Sequence, residues 1–277
     1  MNYSLRIYIY ILCCSFIKSI SAQPEIENCT WTTFTFENGN TASEGCFVDG
    51  KPEGIWNTFY ENGILKSSGS RKNFELDGIW NFFNSNGIIE KKTSFKSGKK
   101  NGKEWDYSEE GNIESESIYQ DGVQVGNKLV YDNQGWVKKR IPFVKGQPQG
   151  FGKEWAEDGR VIAVFNYKNG RLRSTQKVNR FDNQNQKTGI WIEWNSMERK
   201  VEEGPWMAGK RHGMFKFYDG FGQLDYLEKY DFGQVVQESD ATTPVDVRTT
   251  LHENGKVATR ATYSEGELIG IWRGDSE

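Results

Sequence analysis

The chain has 277 residues with 35 basic and 38 acidic side chains, a formal charge of −3 at pH 7. That balance excludes the basic stripe with which nucleic-acid binders displace phosphate counterions, so no nucleic-acid partner is expected. With 30 glycines, 12 tyrosines, 17 phenylalanines and 10 tryptophans, the composition favours short strands and turns over long helices.

The amino-terminal segment is unlike the rest. Arg6 is followed by an apolar run, Ile7 to Ile17, and then by Ser19-Ile20-Ser21-Ala22 before Gln23-Pro24. The run is about half of what a membrane-spanning helix needs, while a basic start, a short apolar core and small residues at the end match a secretory signal peptide. Residues 1–22 are therefore read as a signal with cleavage after Ala22; an uncleaved anchor is the alternative. No later apolar run could span a bilayer, so the expected location is secreted, periplasmic or cell-surface. Removal of Arg6 and Lys18, with no acid, leaves 33 basic and 38 acidic residues and a formal charge of −5.

Cys13 and Cys14 leave with the signal, and Cys29 and Cys46 remain. In an exported protein an even count suggests a bridge. The two flank Glu37-Asn38-Gly39-Asn40, a hairpin turn signal, and are expected to face each other near the open end of the first hairpin. Two buried free thiols are the alternative. Asn28-Cys29-Thr30 fits the acceptor pattern for N-glycosylation, which matters only in a eukaryotic secretory pathway.

From Gly54 a 24-residue period governs the chain. Anchor glycines stand at 54, 78, 102, 126 and 150, and again at 189 and 213. Five residues after each comes an aromatic: Phe59, Phe83, Tyr107, Tyr131, Trp155, Trp194 and Tyr218. Nine after comes a second glycine in all units but the Gly189 one, and twenty after a third in all but the Gly54 unit, which has Phe74 there and Arg71 where the others carry Phe, Tyr or Trp. Glycine interrupts every segment before a helix could form, so each unit reads as a β-hairpin. The fold expected is all-β: tandem antiparallel hairpins of 24 residues joined into one elongated, twisted meander sheet, stabilised by neighbour contacts.

Side chains alternate across a strand. Offsets 1, 3 and 5 from each anchor are expected to share a uniform buried face, through Ile55, Ile79, Trp105, Leu129, Phe151, Ile190, Ile192 and Met214. The opposite face varies (Trp56 in one unit, Glu104 two units later) and is expected to be at least partly wet. Its large aromatics, Trp56, Tyr60, Trp80, Phe82 and Trp191, are the candidate binding surface; a second covered layer is the other reading of them.

The organisation expected is a capping hairpin at 23–50, repeats at 51–173, an insertion at 174–188, repeats at 189–236, a second insertion at 237–245, and a terminal repeat and cap at 246–277. Insertions in a strict repeat are places to bend or to extend a loop.

Segments such as Trp206-Met-Ala-Gly209-Lys-Arg-His-Gly213-Met-Phe-Lys-Phe-Tyr218 and Phe95-Lys-Ser-Gly98-Lys-Lys-Asn-Gly102-Lys-Glu-Trp105 resemble MORN repeats, in the variant found in tandem in bacterial proteins of the YwqK-like antitoxin type. The resemblance spans roughly residues 30 to 272. It implies a scaffold or protein-binding surface, in some members a toxin's partner, and in eukaryotic relatives membrane-proximal organisation. An export signal departs from a cytoplasmic antitoxin.

Catalytic chemistry finds no foothold. The histidines, His212 and His252, both fall in turns, no cysteine pair has zinc-ligand spacing, and no nucleophile elbow or phosphate loop occurs. The chain is therefore expected to be non-enzymatic, with no catalytic residue, cofactor or metal, and with another protein as its partner. Neutralisation of a toxin and binding of carbohydrate or cell envelope are the alternatives.

Overall fold

The computed structural model describes residues 26–236, 246–251, 257–264 and 266–273. Residues 1–22, expected to be a signal, the insertion at 237–245 and His252 lie outside the described residues. Every regular element described is a strand, and within each sheet the strands pair antiparallel and follow one another in chain order. The strands form a 14-stranded sheet from Thr30 to Lys177, a 7-stranded sheet from Arg180 to Val235 and a 3-stranded sheet from Asp246 to Arg273. This is the meander of tandem hairpins that the glycine period predicts. The first hairpin, Thr30–Thr35 with Thr41–Val48, carries the Cys29–Cys46 disulfide, with its Cα atoms 5.5 Å apart.

Each unit contains two irregularities of register, and they decide which face is buried. At the anchor, Gly45 pairs with Trp56 and Cys46 with Glu53, leaving Gly54 and Ile55 as the bulge. Gly54 has φ of 66°, as the other anchors also have positive φ, a conformation that a residue with a Cβ adopts only with strain. The second irregularity lies between offsets 4 and 5: Thr58 pairs with Ser67, but Phe59 pairs with Leu65. The same shift recurs at Phe83, Tyr107, Trp155, Trp194 and Tyr218.

A one-residue slip moves side chains to the other face of a strand. The aromatic at offset 5 therefore pairs with the aliphatic at offset 11, as expected for the inner face, while the residues before the bulge take opposite parity. Offset 2, not offsets 1 and 3, is what the sheet buries. Trp56, Trp80 and Trp191 are 7%, 3% and 8% exposed, whereas Ile79, Phe151 and Met214 stand in solvent. The expectation that offsets 1, 3 and 5 form one buried face is corrected accordingly; among its members Ile192 alone is fully buried.

The tips at the other edge of the array are two-residue turns with both central residues at positive φ, such as Asp49-Gly50, Ser97-Gly98 and Asn169-Gly170. Asn73-Phe74 takes the same shape with Phe74 at φ 71°. A bulky side chain held there costs about 1–2 kcal/mol. The Arg71 guanidinium caps this turn by donating to Phe74 O (2.7 Å), a bond to backbone that any residue at 74 would keep. Phe74→Gly is expected to raise stability by about 0.5–1 kcal/mol once glycine's greater unfolded entropy is subtracted, read as a higher midpoint in urea denaturation.

Residues 174–188 are ordered rather than looped. Ser174 to Lys177 finish the last strand of the first sheet, and Arg180–Phe181 begin the second by pairing with Lys187 and Thr188. Between them, Val178 N–H donates to Ile162 O (2.9 Å) in the first sheet, and Asn179 N–H donates to Ile190 O (2.8 Å) in the second. The Asn179 side chain completes the joint: its amide donates to Ile192 O (3.0 Å) and its oxygen accepts from Ile192 N–H (2.7 Å). Val161, Val178 and Ile192 form a buried cluster, flanked by Trp155, Val164, Ile190 and Trp194. At its rim Glu198 binds Arg140 and Lys153, 58 and 45 residues away, and these partners, above all the Arg140 hydrogen bonds, hold its carboxyl down at about 2.

Candidate interaction surface

The inner face is closed by its own side chains. A Cβ placed on Gly45 would lie 2.5 Å from the Trp56 ring, one on Gly69 2.3 Å from Trp80, and one on Gly204 2.3 Å from Phe215. Trp56, Trp80 and Phe215 thus each lie flat over the glycine eleven residues before them, whereas Trp191 has Arg180 at that spacing. Where offset 2 is smaller, the earlier residue is larger: Glu104 receives a hydrogen bond from Thr93 Oγ1 (2.9 Å), and Gly152 follows Ile141 at the same spacing. The rings are pinned by their indole N–H groups, which donate to Cys46 O from Trp56 (3.3 Å), to Ser70 O from Trp80 (2.8 Å) and to Arg180 O from Trp191 (3.2 Å).

Cations fill the gaps between rings. Arg71, the exception to the aromatic rule at offset 17, lies 5.9 Å from the Trp56 ring and 5.6 Å from Trp80. Lys187 sits between Trp191 and Trp206, at 4.2 and 4.3 Å, and Arg211 lies near Phe215 and Tyr230, at 5.1 and 5.0 Å. Such pairs contribute roughly 0.5–2 kcal/mol each, depending on desolvation.

Between these two aromatic ends the inner face is polar but satisfied. Lys100 bonds Glu104 (2.5 Å), and burial, with Glu104 beside it, pushes the Tyr119 hydroxyl up to about 12. Burial would raise the Asp106 carboxyl, but hydrogen bonds from Ser115 (2.7 Å) and Lys91 (3.1 Å) outweigh it and hold the group below the ordinary range.

Of the five aromatics expected to line a binding surface, Trp56, Trp80 and Trp191 are therefore buried parts of the core, because the bulge at offset 4/5 turns them inward. Tyr60 and Phe82 are half-buried; the Tyr60 hydroxyl donates to Phe83 O in the next unit (2.7 Å), and Phe82 stacks on Trp80 at 6.3 Å. The surface that stays open is the outer face and the turn tips. Ile79, Phe151 (66% exposed) and Met214 occupy the same offset in three units and face solvent.

Trp136 (69% exposed) and Phe221 (76%) stand on turn tips. At the repeat position of Trp136, Ile64 lies against the glycine of the next turn, 3.5 Å from where a Gly87 Cβ would be, but nothing comes within 4 Å of the corresponding point on Gly159. The stacking of turns that explains Ile64 does not explain Trp136. The sequence did carry that signal, as a tryptophan inside the polar turn Asp132-Asn-Gln-Gly-Trp136.

Beside Trp136 opens a cleft of about 520 Å³, between the turns 132–136 and 156–160, with Trp155 in its wall and Glu154, Glu157 and Asp158 among its lining. Among the described residues no cluster of His, Cys, Asp and Glu could hold a metal. His212 lies past the Ala208-Gly209 turn rather than in it, between the strands Lys210–Arg211 and Gly213–Tyr218, with Nδ1 3.1 Å from Asp231 Oδ1 and its ring 4.7 Å from Phe232.

The fold defines a repeat protein whose units are β-hairpins locked to their neighbours. It contains MORN repeats: the model of the MORN repeat variant matches residues 52–73 and again 76–97. No curated protein matches the sequence. Among solved structures, a TcdB2-TccC3-TEV crystal structure is 12% identical over 87% of this chain, with a TM-score of 0.23. A Tc holotoxin pore of Photorhabdus luminescens is 13% identical over 86% of this chain and 16% of its own, with a TM-score of 0.19. A porin-like protein from Bacteroides uniformis ATCC 8492 is 8% identical over 80% of this chain and 96% of its own, with a TM-score of 0.16. This chain spans only 12% of the first of these, and at such TM-scores none of the three likenesses carries an argument.

Proposed function

We propose that this chain is a non-enzymatic interaction scaffold that acts outside the cytoplasm and binds another protein with the outer face of its repeats. MORN repeats generally mediate binding or interaction. The observation that carries the reading is the placement of Ile79, Phe151 and Met214: one repeat position, in three units, presents a large apolar side chain to solvent while the inner face is already filled. Apolar groups held in register on a rigid frame are suited to a partner that spans several units. The amino-terminal segment supports the extracellular part of the reading through its signal-like sequence.

The test is a capture experiment from the native extracellular or envelope fraction, with the mature chain and a Phe151→Asp/Phe221→Asp variant as parallel baits. Both side chains are exposed, so the variant is expected to keep the wild-type circular dichroism spectrum. A species retained by the wild type and lost from the variant is the expected result; identical captures would reject the outer face as the binding surface.

A further inference from the structure

We propose that the cleft beside Trp136 is a receptor for a cationic side chain, an arginine or lysine on a basic segment of a partner protein. The proposal rests on the scaffold reading and names the chemistry of the partner's contact. The cleft, of about 520 Å³, is large enough for such a side chain with its flanking backbone. One wall is Trp136, whose ring is exposed and does not come within 4 Å of where a Gly159 Cβ would be, and Trp155, which has the Arg140 guanidinium 5.6 Å from its ring, forms another. Tryptophan offers the best ring face for a cation.

Charge selects the ligand's sign. Asp158 and Arg160 are paired at 2.6 Å, and Arg160 also donates to Asn179 O, so that pair is internally neutral. Asp132 Oδ1 accepts from the backbone N–H groups of Gln134 and Trp136, both at 2.9 Å, and so shapes the turn. Glu154 and Glu157 make no ion pair among the described residues, and Lys138 is the one cation in the lining besides Arg160. Four carboxylates against two cations leave the cleft acidic, with two of the four free to meet a ligand. An acidic pocket walled by tryptophan fits a guanidinium or ammonium, whereas an anion would meet unpaired carboxylates.

Intrinsic fluorescence titration of the mature protein with tri-arginine amide tests this, with tri-glutamate and an N-acetylglucosamine trimer as comparisons. Saturable binding of tri-arginine is expected, weakening with added salt and falling about tenfold both in Trp136→Ala and in Glu154→Gln/Glu157→Gln. The three residues line an open cleft, and an unchanged circular dichroism spectrum and denaturation midpoint separate lost binding from lost fold. Absence of saturable binding by the wild type, binding by both variants as tight as that of the wild type, or equal or tighter binding of the trisaccharide or tri-glutamate would each overturn the proposal. Capture of a partner that depends on Phe151 and Phe221, together with any of those results, rejects the cleft and leaves the scaffold standing.

Discussion

Gly69→Val is expected to cost about 2–3 kcal/mol of stability, the penalty of forcing side-chain volume into a filled interior. The valine Cβ would start 2.3 Å from the Trp80 ring, which is buried and tied to Ser70 O by its indole N–H, so the ring has nowhere close to go. Trp80→Leu alone opens a void over Gly69 and is also expected to destabilise, by about 2 kcal/mol or more. The two together should cost at least about 1 kcal/mol less than the sum of the single changes, because one supplies the volume that the other removes. Urea denaturation of the four proteins measures this cycle. Strict additivity would mean that Gly69 and Trp80 do not share one packing site.

The second large effect is expected at the joint between the sheets. Asn179→Ala removes the donor to Ile192 O and the acceptor from Ile192 N–H at a buried position. It also leaves alanine at φ 51°. Two buried backbone groups without partners, at about 1–3 kcal/mol each, plus about 1 kcal/mol for the left-handed conformation, predict a loss near 3–4 kcal/mol after partial relaxation. Asn179→Gly removes the same hydrogen bonds without the conformational cost, so it should recover about 1 kcal/mol of that loss. Hydrogen exchange at the Ile192 amide reads the joint directly. If that amide stays as protected in Asn179→Ala as in the wild type, the side chain is not what closes the two sheets.

Both predictions fall on residues whose roles the sequence carries in part. The alternation of Trp80 with Gly69, of Glu104 with Thr93 and of Gly152 with Ile141 is visible as a size relation across eleven residues, but the spacing alone does not say that the two positions touch. For Asn179 nothing in the sequence separates it from the polar run Asn179 to Lys187 that reads as a loop. Its importance comes from three bonds to Ile190 and Ile192 of the second sheet, made one residue after Val178 bonds Ile162 of the first, and no local pattern encodes these contacts. The same holds for Glu198, which occupies a turn glycine's place in its own unit yet binds Arg140 and Lys153 of the first sheet.

The candidate surface shows the limit most clearly. Spacing identified Trp56, Trp80 and Trp191 as residues outside the repeat rule, and they are; burial shows that they serve packing, and that Phe151, expected inside, is outside. The difference lies in the strand from Gly54 to Phe59, which is broken by a register shift between Thr58 and Phe59, so plain alternation does not run through it.

The sequence by itself determined the antiparallel hairpin meander and the positions of its turns, because turn geometry and β-propensity act locally and repeat every 24 residues. Only the tertiary structure decided which face is core, because a bulge of one residue inverts the parity of everything before it, and register is fixed by the partner strand rather than by the strand itself.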